Sequence, residues 1–467
     1  MSQNLAKAQQ VSVAEIVRHG EQLILPTGMT LEMGIDLLER RMKYEGEKTK
    51  LNAAFDVMPY DGAHALQEVL SAKYGWAQAV ATPGFFGSEP PEMISVEVDP
   101  GKFKEVPWGR FNLPNVKGYI ETSVSMKGGR YTFALEAVVL RRDEAAVRSL
   151  FDDVRAFLKD GSIYKGKAIK MRFLNENGNP LRMPEPSFMD TSKIDPNSLI
   201  YAADVQASVE TNLFTPIRRV HDLLANKIPV KRGVLLGGMY GCGKTLAATV
   251  ASRIAVDAGV TYLYVPRADE LAHAIEFAKQ YQSPACVIFC EDIDRSMNGE
   301  RSVEMDDILN ILDGIDTKGA NIITVVTTND LESINPAMLR PGRLDAVIDV
   351  TPPDAAAAEK LMRMYGGAEI DPASDLTEAG KLLAGQIPAT IAEVVKRAKL
   401  AQMRLQPVGT PVAQLSQEAL IEAAATMKAQ TDLLAERSKK KVAAPTLDQL
   451  LGDLIQKKIQ PVIDYID

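Results

Sequence analysis

From Leu31 onward, apolar residues return at Leu31, Ile35, Leu38 and Met42, the spacing of one face of an α-helix. Val147, Leu150, Phe151, Val154, Phe157 and Leu158 repeat that spacing behind Asp143, a residue type that caps helix starts. Between these two amphipathic helices, Met93–Val98, Tyr119–Val124 and Tyr131–Leu140 mix alternating and continuous apolar runs rich in Val, Ile, Thr and Phe, as strands do. Gly128-Gly129 marks a hairpin turn between the last two. Residues 1–174 are therefore expected to form a mixed α/β domain, a small sheet with helices on it.

The pattern breaks at Asn175–Pro186, where Asn-Glu-Asn-Gly-Asn-Pro and two further prolines deny both helix and central strand, so 175–196 reads as a linker. Beyond it, the apolar runs Val234–Leu236, Tyr262–Val265, Cys286–Phe289, Ile322–Val326 and Ala346–Val350 alternate with helical segments. That rhythm predicts an α/β domain over 197–352, a parallel sheet covered by helices. After Pro352 the strands stop. Ala355–Met364, Leu376–Leu383, Ile391–Arg404 and Glu418–Glu436 read as helices of a small all-α lid over 353–436. Residues 437–467 open with the basic run Arg437–Lys441, then offer a Thr446–Gln449 capping box and an amphipathic helix.

Composition narrows the function. Lysine plus arginine number 53 against 61 acidic residues, a net charge of −8, so broad contact with nucleic acid is not expected. The three cysteines, Cys242, Cys286 and Cys290, lie in or beside hydrophobic runs and form no secreted disulfide framework. Four scattered histidines show no metal-ligand spacing, and no apolar run reaches the ~18 residues of a membrane span. A cytoplasmic protein with no membrane span is expected.

The chemistry is concentrated after Val234–Leu236. Gly238-Met239-Tyr240-Gly241-Cys242-Gly243-Lys244-Thr245 matches G-x-x-x-x-G-K-[ST] between a strand and a helix that runs on from Leu246. Glycines let successive backbone N–H groups converge on phosphates, Lys244 offsets charge on the outer phosphates, and the Thr245 hydroxyl suits Mg²⁺. Cys286–Cys290 is too apolar for a half-exposed strand and ends in Glu291-Asp292-Ile293-Asp294. One carboxylate at such a strand end can hold the water shell of Mg²⁺ and its neighbour can polarise water, which phosphoryl transfer requires. Asn329, after Thr327-Thr328, brings an uncharged amide to another strand end. Arg340 and Arg343, on the turn Arg340-Pro341-Gly342-Arg343, suit phosphate oxygens, in a neighbouring subunit if they project away from their own site. Tyr201 lies in the stretch that lines the adenine in the AAA ATPase family, which these motifs resemble.

These four elements, in this order, resemble the AAA ATPase family over about residues 197–404. Within it, Ile228-Pro229-Val230-Lys231-Arg232-Gly233, the inverted pair Glu291-Asp292, Leu312-Asp313-Gly314 and Arg340-Pro341-Gly342-Arg343 look like the subgroup of mitochondrial translocases for the Rieske iron–sulfur protein and their bacterial relatives. The resemblance implies ATP and Mg²⁺, a homo-oligomeric ring, commonly a hexamer and a heptamer in that subgroup, and a chaperone acting on a protein cargo through its N-terminal domain. Three departures qualify it. Typical members end the acidic strand in Asp-Glu, which leaves open whether Glu291 or Asp292 polarises the water. The stretch 267–283 has room for little beyond a helix, with no aromatic threading loop, and Phe277 and Tyr281 are expected to pack on the sheet. The N-terminal membrane anchor of the mitochondrial members has no counterpart in this sequence. Two alternatives remain at this point: an ATPase that remodels or loads proteins on nucleic acid, and a slow-hydrolysing nucleotide-gated scaffold.

Overall fold

A computed structural model describes residues 17–19, 22–75, 78–84, 87–90, 92–293, 319–332, 334, 342–404, 406–411 and 414–427. The chain folds as two compact units, residues 1–190 and 191–467.

The first unit is built on an antiparallel sheet in the order Lys48–Ala54, Arg130–Leu140, Gly118–Lys127, Arg110–Asn112, Gln78–Val80. Its long hairpin turns at Gly128-Gly129, with Lys127 opposite Arg130 and both glycines at positive φ, the backbone that a tight two-residue turn requires. Helix Glu144–Asp160 packs on the sheet through Val147, Leu150, Phe151, Val154 and Leu158, the face that the periodicity marks. Asp143 stands at its N-cap, but its carboxylate accepts the Lys117 N–H instead, at 3.0 Å.

Helix Pro59–Tyr74, which the sequence reading does not single out, buries Leu66, Val69 and Leu70 together with the small or polar Asp61, Gly62, Ala63 and Ala65. A Cβ on Gly62 would overlap the Phe133 ring, so glycine lets helix and sheet approach. The wholly buried Asp61 accepts from Ser162 Oγ at 2.8 Å and Ile163 N–H at 3.0 Å, which ties this helix to the segment after Glu144–Asp160. Other expectations shift. The strand at Met93–Val98 forms, but in a separate hairpin, Glu92–Asp99 with Lys102–Trp108. Helix Leu31–Gly46 forms too, yet Leu31, Ile35 and Met42 on its apolar face are exposed. Much of the expected linker is folded: Leu174 bridges to Pro180, and Ser187–Phe188 pairs with Ala168–Lys170, so 175–190 belongs to the first unit.

The second unit carries five parallel strands in the order Thr261–Val265, Cys286–Cys290, Ile322–Thr328, Arg232–Gly237, Ala346–Asp349. All five were expected from apolar runs. Cys286–Cys290 and Ile322–Thr328 are buried along their whole length, as central strands of a covered sheet must be. Helices Lys244–Asp257 and Leu271–Tyr281 pack against it, the latter burying Phe277 and Tyr281 completely. Helices Ala355–Gly366, Thr377–Leu383, Pro388–Arg404 and 417–427 then enclose their own core around Leu361, Met362, Ile391 and Leu420. Asp354 caps the first of them by accepting the Ala357 N–H at 2.7 Å. The basic run Arg437–Lys441 and the helix expected after it lie outside the described residues. No described helix is long and apolar enough to cross a membrane.

Candidate active site

The turn between strand Arg232–Gly237 and helix Lys244–Asp257 has Gly238, Gly241 and Gly243 at φ of 139°, 81° and 102°, which side chains beyond glycine rarely adopt. Close approach adds a second constraint. A Cβ on Gly238 would overlap the Val350 carbonyl, and one on Gly241 would press Ile387 Cδ1 at 3.0 Å. Met239 and Tyr240 are exposed on the loop, and Leu246 is exposed in the first turn of the helix. Cys242 is buried, which pushes its thiol pKa up against the opposing pull of Lys244, so it is a packing residue rather than a nucleophile.

Lys244 is itself buried, its ammonium donating to the carbonyls of Gly238 (2.5 Å) and Met239 (3.0 Å) and to Asn329 Oδ1 (2.9 Å). Parallel pairing brings Asn329 there, because Ile322–Thr328 lies between the loop strand and the acidic strand. The two acids then diverge. Glu291 accepts from Thr245 Oγ1 at 2.8 Å and from Tyr264 OH at 2.7 Å. Asp292, in the left-handed region at φ 49°, accepts from Asn329 Nδ2 at 2.9 Å, while its N–H donates to Thr327 Oγ1 at 3.0 Å. Seven residues are joined in this way: Lys244, Asn329, Asp292 and Thr327 on one arm, Thr245, Glu291 and Tyr264 on the other.

Thr327, from the Thr327-Thr328-Asn329 strand end, and Tyr264, which no motif singles out, complete the site. Tyr264 is half-buried at the end of its strand, and burial together with the Glu291 carboxylate pushes its phenol pKa up, so it stays a hydrogen-bond donor. Tyr201 is only 5% exposed and donates from its hydroxyl to the Gly243 carbonyl at 2.8 Å, bracing the loop. Its neighbour Ile200 packs on the lid core.

Arg343 is half-buried, and its backbone carbonyl lies where a Cβ on Gly233 would be. Gly233 is at the start of strand Arg232–Gly237, about 13 Å of strand from Gly237 at the phosphate loop. Asp345 fixes this turn, accepting the N–H groups of Gly342 and Gly233, each at 2.9 Å. Arg340 and Asp294 lie outside the described residues.

The cradle is suited to a triphosphate: a helix N-terminus, glycines where any Cβ would intrude, and a buried ammonium. Thr245 and Glu291 present hard oxygen donors close together, the donor type that Mg²⁺ selects. Residues 234–352 match the family model "ATPase family associated with various cellular activities (AAA)". These residues form an AAA ATPase domain. Similar proteins include the ATP-dependent zinc metalloprotease FtsH of Rhodococcus erythropolis, 29% identical over 60% of this chain and 34% of the relative. The FtsH of Mycobacterium leprae is 30% identical over 48% of this chain and 29% of its own. FtsH 4 of a Synechocystis strain is 30% identical over 47% and 37%. The chain spans about a third of the length of these curated relatives. The AAA domain is the part that binds and hydrolyses ATP.

Proposed function

We propose that this chain is an ATP-driven remodelling or translocation chaperone, working as a homo-oligomeric ring of six or seven copies, with the N-terminal unit meeting a protein cargo. The observation that carries the reading is the divergence of the two carboxylates, Glu291 toward Thr245 and Asp292 toward Asn329 and, through it, Lys244. On that basis Glu291 is the acid on the cation's side and Asp292 the acid beside the attacking water. Mg²⁺, when bound, draws charge from the phosphate oxygens. Lys244 and the loop N–H groups orient the triphosphate. Asp292 is held by the Asn329 amide and takes a proton from the water as its oxygen bonds to the γ-phosphorus and the bond to ADP breaks. The left-handed backbone of Asp292 turns its shorter side chain toward the amide.

Arg343, remote from its own loop along the strand, and Arg340 would serve the adjacent copy. The glutamate–aspartate inversion, and the helix Leu271–Tyr281 where threading proteins carry an aromatic loop, support the finer likeness to the Rieske-protein translocases. The similar proteins named above are FtsH proteins, and that subgroup's cargo stays with its own members. The protease activity in the name FtsH is that of those relatives. An acidic charge and three buried free thiols support a cytoplasmic setting.

The test is a pair of variants read by ATP turnover and by binding of a fluorescent ATP analogue. Asp292→Asn is expected to cost at least ~100-fold in turnover with nucleotide affinity kept within about threefold. Glu291→Gln is expected to abolish the tightening of nucleotide by Mg²⁺. Wild-type turnover in Asp292→Asn would overturn the assignment.

A further inference from the structure

We propose that a cleft in the N-terminal unit receives the cationic side chain of a lysine or arginine carried by a polypeptide partner. The cleft has a volume of about 220 Å³, and Tyr60, Ser95, Glu97, Phe103, Tyr164 and Glu185 line it. Local structure brings them together. Glu97 and Phe103 stand opposite each other across the hairpin Glu92–Asp99 and Lys102–Trp108, with Ser95 two residues along on the same face. Tyr60 comes from the first turn of helix Pro59–Tyr74, and Glu185 from just before Ser187–Phe188. Tyr164 forms the buried floor, its ring stacked on Phe188 with centroids 5.8 Å apart, whereas Phe103, 65% exposed, forms the rim.

Charge decides the class of ligand. Two carboxylates line the cleft and, among the described residues, no lysine or arginine does. The lysines nearby in sequence have other carboxylates or carbonyls. Lys102 and Lys167 both donate to Asp99 at 2.8 Å, Lys104 pairs with Glu68, and Lys165 donates to the Leu158 carbonyl at 3.1 Å. Glu97 is fixed by the Gly101 N–H at 2.9 Å. The phenols register the same field: burial, then Glu185, raises the pKa of Tyr60, and burial, then Asp61, Tyr60 and Glu97, raises that of Tyr164. Aromatic faces beside carboxylates attract a cation, while an anion would be repelled and a wholly apolar guest would strip water from both glutamates without return. The size suits one long side chain, whose apolar stem can lie along Phe103 with its charged head at Glu97 and Glu185.

The experiment is calorimetric titration of the full chain, without nucleotide, with acetyl-Gly-Lys-Gly-amide and its arginine counterpart. Norleucine and citrulline tripeptides serve as neutral matches. The cationic peptides are expected to bind with Kd of about 0.1–1 mM, at least ~10-fold tighter than the neutral ones, and more weakly as salt is raised. The double variant Glu97→Gln/Glu185→Gln should lose at least ~10-fold while keeping its circular dichroism and ATP turnover, and Phe103→Ala, at an exposed position, should lose several-fold. Equal binding of neutral peptides, unchanged binding in the double variant, or no heat up to about 10 mM would overturn the proposal. Binding of butylammonium as tightly as the lysine peptide would overturn the polypeptide assignment. Because no nucleotide is used, failure here is distinguishable from failure of the ATPase reading.

Discussion

Both oxygens of the Glu291 carboxylate are occupied from opposite sides, by Thr245 and by Tyr264. Removing the phenol frees the carboxylate to rotate. Tyr264→Phe is therefore expected to raise the Mg²⁺ needed for half-maximal turnover about fivefold, consistent with ~1 kcal/mol for a half-exposed charge-assisted bond. The same shift should appear in Mg²⁺-dependent binding of a fluorescent ATP analogue, with affinity measured without Mg²⁺ unchanged. Tyr201→Phe should instead weaken nucleotide with and without Mg²⁺, by about 1 kcal/mol, since it unties the loop from behind. The difference between these tyrosines and the motif residues explains what could be read in advance. Lys244, Thr245, Glu291 and Asp292 are legible because the loop and the acidic strand end state their chemistry in consecutive residues. Tyr264 is not, because Tyr262, two positions earlier in the same strand, is a buried core residue donating to the Ala248 carbonyl. Only the pairing with Cys286–Cys290 separates the two roles.

Among elements, legibility followed the length of the apolar runs. The parallel strands announce themselves by Val, Ile, Leu and Phe runs, whereas helix Pro59–Tyr74 interrupts buried Leu66, Val69 and Leu70 with Asp61, Gly62 and alanines, which serve proximity and hydrogen bonding. Asp61→Ala is expected to destabilise the first unit by about 3 kcal/mol, because the Ser162 hydroxyl and Ile163 N–H lose their acceptor in a dry interior. A lowered melting transition, with ATP turnover intact below it, would be the sign of it. Gly238→Ala is the matching test for the phosphate loop. A methyl group directed at the Val350 carbonyl, on a backbone at φ 139°, should abolish nucleotide binding, measurable by the same fluorescent analogue.

For the whole molecule, the proposed ring implies that turnover per chain depends on assembly. Specific ATPase activity should rise with protein concentration as particles grow in mass photometry. Arg343→Ala should lower kcat by at least ~100-fold while leaving nucleotide affinity within about threefold, since a guanidinium from the next copy acts on the transition state. Equal activity in dilute monomers and concentrated protein would count against it. The strand Arg232–Gly237 gives the assembly a further property. It ends in the phosphate loop, begins beside the arginine-bearing turn that Asp345 clamps, and is hydrogen-bonded on both edges. Such a segment resists bending, so in the proposed ring a displacement of the phosphate loop would be carried along six residues of strand to the turn that faces the next copy.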